Sequence, residues 1–339
     1  MKSSTGNDSP EKNDPTSLQK YARDIAYQKW VLEHCGIKVT GVYLVRLNNE
    51  YVLDGELDIR GLFHITDMQE HVAAESPKVE AHVSRAVKVL DETTEPNLSL
   101  GEYCNNPYQC AFWDYCIRHV PVNSVFKLYR IRFNKALEFY HRGIVSFENV
   151  ATQKLSDKQH LQVISTLTNG EYIDKDGIRD FLTTLRYPLY FLDFETEQPV
   201  LPKYQGTRPY QQIPFQYSLH RIEIEGGELR HTEFLGNGVD DPRRALAEQL
   251  CKDIPIDACT TAYNKAFECS RLREMAREFP DLAPHLLNIA DNIVDLLVPF
   301  QKGYYYAPPP PNKRKNLCTI NKRTLLHFRK RQIQTNFLT

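Results

Sequence analysis

The chain has 339 residues, of which 25% are charged and 41% hydrophobic, and its formal net charge is −1. This composition describes a soluble globular protein long enough for two domains. No stretch approaches the roughly 20 apolar residues of a membrane span, and no signal peptide opens the chain. Eight cysteines are too few for a disulfide scaffold at this length. We therefore expect a cytoplasmic protein with no membrane partner.

The first part of the chain predicts a mixture of helix and strand. Apolar residues at helical spacing predict a helix over about 18–35. Val39–Leu47 reads as a strand, with Tyr51–Leu53 as its return strand after a turn. Phe63–Val89 carries helical periodicity again.

Three cysteines follow within 13 residues, in CNNPYQCAFWDYC, at Cys104, Cys110 and Cys116. The Cys-x5-Cys-x5-Cys spacing differs from the tight pairs of zinc ribbons. Three thiolates from one short segment supply three corners of an iron–sulfur cluster or three ligands of a zinc ion, with a fourth ligand from elsewhere. The alternative is three buried structural thiols.

Residues 122–185 are predicted to be mostly helical and to join the two halves of the chain. From Tyr187 the pattern changes to strands. Phe215–Ile224 and Leu229–Leu235 flank two glycines that favour a hairpin turn. A helix over 242–252, a short strand over 258–263 and an amphipathic helix over 267–279 come next. This order predicts a mixed sheet with helices.

Two carboxylates stand at the end of the strand YPLYFLDFETE, at Asp193 and Glu195. Alternate residues of a strand share a face, so both acids project together while Phe194 turns into the packing. Adjacent acids repel, and a Mg²⁺ or Mn²⁺ ion bound by their oxygens removes that penalty. The alternative is a strand end whose acids face water.

A second acidic element lies in AYNKAFECSRL, where Asn264 follows a strand and Glu268 falls on the first turn of the next helix. A carboxylate is favoured at a helix N-terminus, so Glu268 alone is also explained as a surface acid. Combined with the Asp-x-Glu strand, this position predicts a third metal ligand in a ribonuclease-H-like architecture.

Residues 187–306 resemble the DEDD superfamily of 3′–5′ exonucleases, the DnaQ-like enzymes. Asp193-x-Glu195 is similar to the first motif of that superfamily, and Asn264 to Glu268 to the second, with Glu where Asp is usual. The resemblance implies two-metal hydrolysis of phosphodiester bonds. Asp193, Glu195 and Glu268 would be the metal ligands, and Asn264 would orient the strand or a ligand.

More specifically, the chain resembles an uncharacterised bacterial family that joins a RecB-like, iron–sulfur nuclease domain to an exonuclease-like domain. The cysteine trio matches its cysteine segment. Lys2 looks like the lysine of the Glu-x-Lys pair in such nucleases, and Gln28 like their downstream glutamine. The implied α/β organisation is a partial RecB-like domain over 1–121, the helical linker over 122–185 and a ribonuclease-H-like domain over 186–306.

The same resemblance implies that the chain is a fragment of such a protein. The acids that precede Lys2 in the family would lie before residue 1, and a final acidic motif is missing after Asp295. From Lys302 to the end there are nine Lys or Arg and no Asp or Glu. We interpret 307–339 as a basic tail that is disordered or frameshifted. The alternative is a genuine basic tail that binds nucleic acid.

The sequence thus predicts a metal-dependent nuclease with 3′–5′ exonuclease character, acting on single-stranded DNA or RNA and impaired by its missing motifs. The alternative from a different class is a non-catalytic nucleic-acid- or metal-binding protein derived from a nuclease. A third interpretation is a pseudogene product. The expected cofactors are Mg²⁺ or Mn²⁺ at the acids, and an iron–sulfur cluster or zinc at the cysteines.

Overall fold

A computed structural model describes residues 15–106 and 108–308. The chain divides into two compact units. Unit 1 combines the described residues up to Asn97 with Tyr187–Val294, and unit 2 combines Leu98–Arg186 with the described residues from Asp295 on. This division joins the described residues up to Asn97 to the later sheet, whereas the sequence prediction assigned the two segments to separate domains. It also places the cysteine segment with the helical region that follows it.

The described residues form helices and strands that we number along the chain. The α-helices are α1 Pro15–His34, α2 Ile59–Leu62, α3 Gln69–Asp91, α4 Trp113–Cys116, α5 Phe133–His141, α6 Phe147–Val150, α7 Asp157–Thr168, α8 Lys175–Leu182, α9 Arg243–Asp253, α10 Ala266–Glu278, α11 Ala283–Asp291 and α12 Val298–Lys302. The β-strands are β1 Tyr43–Leu47, β2 Phe63–Asp67, β3 Tyr172–Ile173, β4 Leu189–Glu197, β5 Ile213–Ile222, β6 Leu229–Leu235, β7 Cys259–Ala262, β8 Ile293–Asp295 and β9 Tyr305–Tyr306. Within these ranges, no helix has both the length and the apolar character that crossing a bilayer requires.

The first part of unit 1 is a helix pair with a two-stranded ribbon. The small side chains of Ala22 and Ala26 on α1 pack against Met68, Val72 and Val79 at and within α3, and all five are buried. The ribbon is antiparallel β1 and β2.

The predicted return strand at Tyr51–Leu53 is wrong, because β1 pairs with β2 instead. β2 occupies Phe63–Asp67, the start of the predicted helix, and α3 begins only at Gln69, whose N–H is capped by Asp67 at 2.8 Å. Leu53 exchanges backbone hydrogen bonds with the loop before β5: its N–H reaches Thr207 and its carbonyl accepts from Gly206. Leu53 therefore forms these longer-range backbone hydrogen bonds instead of the predicted hairpin.

The second part of unit 1 is a five-stranded mixed sheet in the order β6-β5-β4-β7-β8. β4 lies at the centre, antiparallel to β5 and parallel to β7, and β5 and β6 form the predicted antiparallel hairpin. The helices α9, α10 and α11 contribute side chains to one core with one face of this sheet. Its members include Tyr190, Leu192, Phe194, Tyr217, Leu219, Leu246, Leu250, Leu272, Met275, Leu286 and Ile289.

Unit 2 is mostly helical, as predicted for the region after residue 122. Its main core gathers Phe139 of α5, Phe147 and Val150 of α6 and Val163 of α7. Gln162 of α7 is 1% exposed, and its side-chain amide makes two hydrogen bonds with the backbone on either side of residue 128. The amide oxygen accepts from the Tyr129 N–H at 2.7 Å, and the amide nitrogen donates to the Lys127 carbonyl at 2.8 Å.

Candidate functional site

The carboxyl half of β4 presents the predicted acid pair on one face of the sheet. Asp193 and Glu195 are exposed, whereas Leu192 and Phe194 are buried on the opposite, helix-covered face. Phe194 meets the Tyr217 ring edge to face, with centroids 6.4 Å apart. The buried aromatic residues fix the register of β4, and that register directs both carboxylates outward.

Neighbouring strands extend this open face into a polar surface. Asp193 stands directly opposite Ser218 of β5, which stands opposite Glu233 of β6. The adjacent cross-strand pair is His220 and His231, whose rings lie 4.4 Å apart. Ser218 Oγ and His231 Nε2 are hydrogen bonded at 3.0 Å. Two imidazoles and a hydroxyl therefore lie on the face that carries the acids.

The sequence prediction missed these β5 and β6 residues, although a signal was present. In FQYSLHRI, the polar Gln216, Ser218 and His220 alternate with the buried Tyr217 and Leu219. Period-two alternation predicts a half-buried strand with one open face. Which partner lies opposite each residue depends on the pairing register, which the alternation does not give.

The loop that carries Asn264 lies at the same end of the sheet as the acids. β4 and β7 are parallel, and their last pair is Phe191 with Thr261. Asp193 lies two residues beyond this pair on β4, and Tyr263 lies two residues beyond it, just after the end of β7. Asn264 adopts a left-handed backbone, φ 60°, which asparagine tolerates better than most residues. Lys265 anchors the loop by donating to the Ile293 carbonyl of β8 at 2.8 Å.

Glu268 lies on the first turn of α10 and is only 4% exposed. One turn later Arg271, also buried, donates to Gln212 and, at 2.7 Å, to Glu274. Gln212 directly precedes β5, whose first residue pairs with Glu197 at the end of β4. The start of α10 is therefore tied to the end of the sheet at which the acid pair lies.

Burial shapes the electrostatics of α10. It raises the pKa of the Glu274 carboxyl above its ordinary value, with Arg271 and Arg277 opposing that shift. It lowers the pKa of the Arg271 guanidinium, while Glu274 opposes. Arg271 thus relies on its partners for charge complementarity, since its side chain is only 8% exposed, whereas Glu274 still reaches water.

The structure brings the elements that bear Asp193, Glu195, Asn264 and Glu268 to one end of the sheet. Across the described ranges, however, no group of three or more His, Cys, Asp or Glu side chains is arranged to hold a metal ion. The arrangement that is present is two exposed carboxylates on one strand face, with the buried Glu268 on a helix tied to the same end.

The cysteine segment of unit 2 forms a closed loop with three different thiol environments. Cys104 is buried, Cys116 is half-buried and Cys110 is exposed. The loop closes where the Cys110 N–H donates to the Cys104 carbonyl at 2.9 Å, and the Gly101 N–H points to the Cys104 sulfur at 3.5 Å. Cys104 packs with Trp113 in a small hydrophobic cluster. Of the three cysteines, Cys104 alone matches the interpretation of buried structural thiols.

Of the two residues assigned to a RecB-like site, Gln28 is the one that lies in the described part of the chain. Gln28 is exposed on α1, and its amide donates to Asp24 of the same helix at 3.1 Å. Lys2 lies outside the described residues.

The comparisons with known proteins bear on the sheet alone. No curated protein and no solved structure matches the chain significantly. Residues 190–310 are similar to a family model described as a domain of unknown function, DUF2779. The matched range covers less than half of the chain and contains all four predicted site residues of the sheet, from Asp193 to Glu268.

Proposed function

We propose that the five-stranded sheet of unit 1 is a ribonuclease-H-like domain of the DEDD exonuclease type, and that it hydrolyses phosphodiester bonds of nucleic acid. The observation that carries this proposal is the position of Asp193 and Glu195. They lie on the open face of the central strand β4, which is antiparallel to β5 and parallel to β7. Crevices at the carboxyl ends of sheet strands are frequent ligand sites.

The donor set at this position fits a hard divalent cation. Mg²⁺ is usually held by one or two carboxylates together with water and substrate phosphates, so a pair of acids is sufficient on the protein side. Bound there, Mg²⁺ or Mn²⁺ supplies an activated water and neutralises charge on the leaving oxygen. Asp193 and Glu195 would hold the ion, Glu268 would contribute to a second one, and Asn264 would orient the strand or a ligand.

The substrate class follows from the openness of the face. A single strand, DNA or RNA, can lie across the face of β4, β5 and β6 that carries Asp193 without unpairing, and polar side chains such as the half-buried Ser218 and the exposed His231 line its path. The described cysteines are all free thiols, as a reducing compartment would keep them, which fits a cytoplasmic enzyme.

Two further parts of the proposal concern the rest of the chain. We assign residues 1–121 a RecB-like origin on the resemblance of Gln28 and the cysteine segment. We assign that segment an iron–sulfur or zinc centre that stabilises unit 2. Sulfur donors suit both centres, although Cys110 is exposed while Cys104 is buried.

A non-catalytic nucleic-acid-binding protein is the second candidate. It is favoured by one observation, that residues 15–106 and 108–308 contain no ready-made group of three metal-ligating acids. A protein that retained the fold and lost cleavage would still bind a strand on this face.

Cleavage and binding assays on matched variants separate the two candidates. Single-stranded DNA and RNA oligonucleotides carrying a 5′ fluorophore are incubated with Mg²⁺ or Mn²⁺ and the wild type, Asp193→Asn or Glu195→Gln. Glu223→Gln is the control, because Glu223 follows β5 at the opposite end of the sheet. The nuclease proposal expects stepwise shortening from the 3′ end, lost in both acid variants and kept in the control. Binding without shortening would select the second candidate. The absence of both binding and shortening would contradict both candidates.

A further inference from the structure

Within the described residues, the strand β6 forms one edge of the five-stranded sheet. It pairs residue by residue with β5 from Leu229 to Leu235, with no shift of register. Six of its seven residues are exposed, and Phe234 is half-buried. Every second N–H and carbonyl of an edge strand points away from the neighbouring strand, so β6 offers a row of backbone groups with which another strand can pair.

Proteins usually protect edge strands against such pairing, and β6 lacks most of the usual protections. Short length, proline, lysine and bulges are common devices. The strand at the opposite edge, β8, has only three residues. β6 has the sequence LRHTEFL, with no proline and no lysine, and it carries an exposed leucine at each end. Leu229 is 54% exposed and Leu235 is 65% exposed. The edge is therefore suited to the addition of a strand.

The sequence of β6 is complementary to itself when it is read in the antiparallel direction. A two-fold axis through Thr232 places Leu229 opposite Leu235 of a second copy, and His231 opposite Glu233 of that copy. The two residues of each pair share a face of the sheet, because their numbers differ by an even number. Each contact occurs twice, since a two-fold interface uses the same surface on both copies.

The polar pairs in this register match in chemistry as well as in position. Ser218 Oγ and His231 Nε2 are hydrogen bonded at 3.0 Å. When the hydroxyl donates to Nε2, the ring proton stands on Nδ1, which can then donate to the Glu233 carboxylate of the second copy. On the other face of the sheet, Arg230 stands opposite Phe234 of the second copy, where a guanidinium can lie over an aromatic ring. Both charged residues of the strand therefore meet a complementary group.

The match depends on the position of the axis. An axis through His231 would place Leu229 opposite Glu233, and an axis through Glu233 would place His231 opposite Leu235. Either shift opposes an apolar side chain to a polar one. Only the axis through Thr232 pairs the strand along its whole length.

We propose that β6 pairs in the antiparallel direction with β6 of a second copy of this chain about Thr232, which joins two five-stranded sheets into one. The occupant is a second copy because the edge complements its own sequence. The axis is perpendicular to the sheet, so the acid pairs of both copies lie on the same side of the joined sheet. The proposal does not depend on metal binding or on cleavage at Asp193.

A pair of seven-residue strands is smaller than a standard interface, which has roughly 20–30 residues a side, so the association should be weak. Sedimentation velocity of the full chain in EDTA measures it between about 1 µM and about 200 µM, the range in which weak complexes form. The variants are His231→Glu, Glu233→Lys and the double variant that combines them. Glu70→Lys is the matched control, since Glu70 is exposed on α3, outside the sheet. Thermal melts confirm that each variant is folded.

We expect the wild type and the control to form dimers as the concentration rises. His231→Glu opposes two carboxylates and Glu233→Lys removes the acceptor, so each should weaken the dimer at least about tenfold. The double variant should restore association, because it places opposite charges at the same pair of positions. A chain that stays monomeric throughout the range, or single variants that associate as the wild type does, would overturn the proposal.

Disulfide formation tests the register. Two copies of Thr232→Cys would place their α-carbons about 4.5–5.5 Å apart, within reach of a disulfide. Arg230→Cys is the control on the same strand, because in this register its counterpart lies four residues along the strand, about 13 Å away. After oxidation with diamide, Thr232→Cys should run as a covalent dimer on a non-reducing gel. The wild type sets the background from its exposed Cys35 and Cys110.

Two outcomes of the gel would also contradict the proposal. Equal crosslinking of Arg230→Cys and Thr232→Cys would show that the strands do not pair about Thr232. A Thr232→Cys disulfide formed at monomer mass would assign the edge to a segment of the same chain instead of a second copy.

Discussion

Arg271 of α10 donates a hydrogen bond to the side chain of Gln212, the residue just before β5. This contact joins the helix that bears Glu268 to the strand that pairs with the end of β4. Arg271 is 7% exposed, so the link is shielded from water and acts at low effective dielectric. The position of Glu268 relative to the sheet therefore depends on a buried guanidinium one turn further along the helix.

Replacing Arg271 with Met should destabilise unit 1 and disturb the acid site together. The change removes the Gln212 link and leaves the half-buried Glu274 without its cation, a loss of about 2–4 kcal/mol. Urea unfolding measures the stability, and titration with Mn²⁺ measures the metal affinity. Arg273→Met is the control, because Arg273 is 53% exposed on the same helix and makes a single 3.5 Å pair with Asp291. Equal losses in the two variants would show that the link has no special role.

Mn²⁺ should raise the melting temperature of the wild type, because a ligand that binds only the native state stabilises it by mass action. The gain is about 2.7 kcal/mol at a hundredfold excess over the dissociation constant. Asp193→Asn should abolish the shift while leaving the metal-free protein intact, since Asp193 is exposed and its replacement opens no cavity. Differential scanning fluorimetry measures both. Identical shifts in wild type and variant would remove the metal site at this position.

The sequence predicted the second part of unit 1 well because its signals are local. The alternation through Phe194 and the hydrophobic run before it place β4 to within a residue or two, and the paired glycines place the β5–β6 turn. The carboxylates of Asp193 and Glu195 share a face for the same local reason. Strand period and turn chemistry determine these features without reference to distant residues.

The predictions that failed or were missed depend on distant contacts. Leu53 follows a turn and reads as a hairpin strand, but its backbone bonds to Thr207, more than 150 residues away. The partnership of His220 with His231 depends on strand register, and the buried link from Arg271 to Gln212 depends on where a helix docks. Periodicity carries no information about any of these pairings.

The cysteine segment gives a prediction about metal content. If Cys104, Cys110 and Cys116 ligate one centre, anaerobically purified protein should contain stoichiometric zinc, or iron with broad absorption near about 400 nm. Replacing any one cysteine with Ser should lower the metal content and the stability of unit 2 together, because metal affinity contributes to folding. Cys35→Ser is the control, since Cys35 is exposed and lies in unit 1. Unchanged metal content in the triple variant would leave three structural thiols.

Glu75 should make α1–α3 packing sensitive to acid. Its carboxylate accepts from Lys78 at 2.8 Å and from Gln19 at 3.4 Å, and Arg23 lies 3.5 Å away. The Lys78 hydrogen bond is the largest influence that holds the pKa of Glu75 below its ordinary value, against burial, which raises it. A lowered folded-state pKa gives stability that is present above the unfolded pKa and is lost as pH falls through the folded one.

Glu75→Gln should therefore cost about 1 kcal/mol at pH 7, and this cost should shrink as pH falls below the unfolded pKa of about 4.3. Urea unfolding at several pH values measures the difference, with the exposed Glu70→Gln on the same helix as the control. A cost that stays constant across this range would mean that packing, not charge, holds Glu75 in place.

Arg243 is the buried cation that secures the start of α9. It is 3% exposed and donates two hydrogen bonds to the Asp241 carboxylate, from Nε to Oδ1 at 2.9 Å and from Nη2 to Oδ2 at 2.6 Å. It also pairs with Glu278 at the end of α10, and donates to the Gln205 carbonyl at 3.0 Å. Gln205 exchanges two hydrogen bonds with the backbone of Gly55, so Arg243 supports the contact between the two parts of unit 1.

Arg243→Met should destabilise unit 1 by about 2–4 kcal/mol at neutral pH, because it removes a buried guanidinium and leaves its partly exposed partners Asp241 and Glu278 without their cation. Burial already raises the pKa of Glu278, and Arg243 opposes that shift, so the variant should raise this pKa further. A carboxyl with a raised folded-state pKa costs stability as it ionises on rising pH. The loss should therefore shrink as pH falls toward about 4, where Glu278 is protonated in both proteins. Urea unfolding of Arg243→Met and of its exposed neighbour Arg244→Met measures this, and a loss that does not change with pH would contradict the assigned role of Glu278.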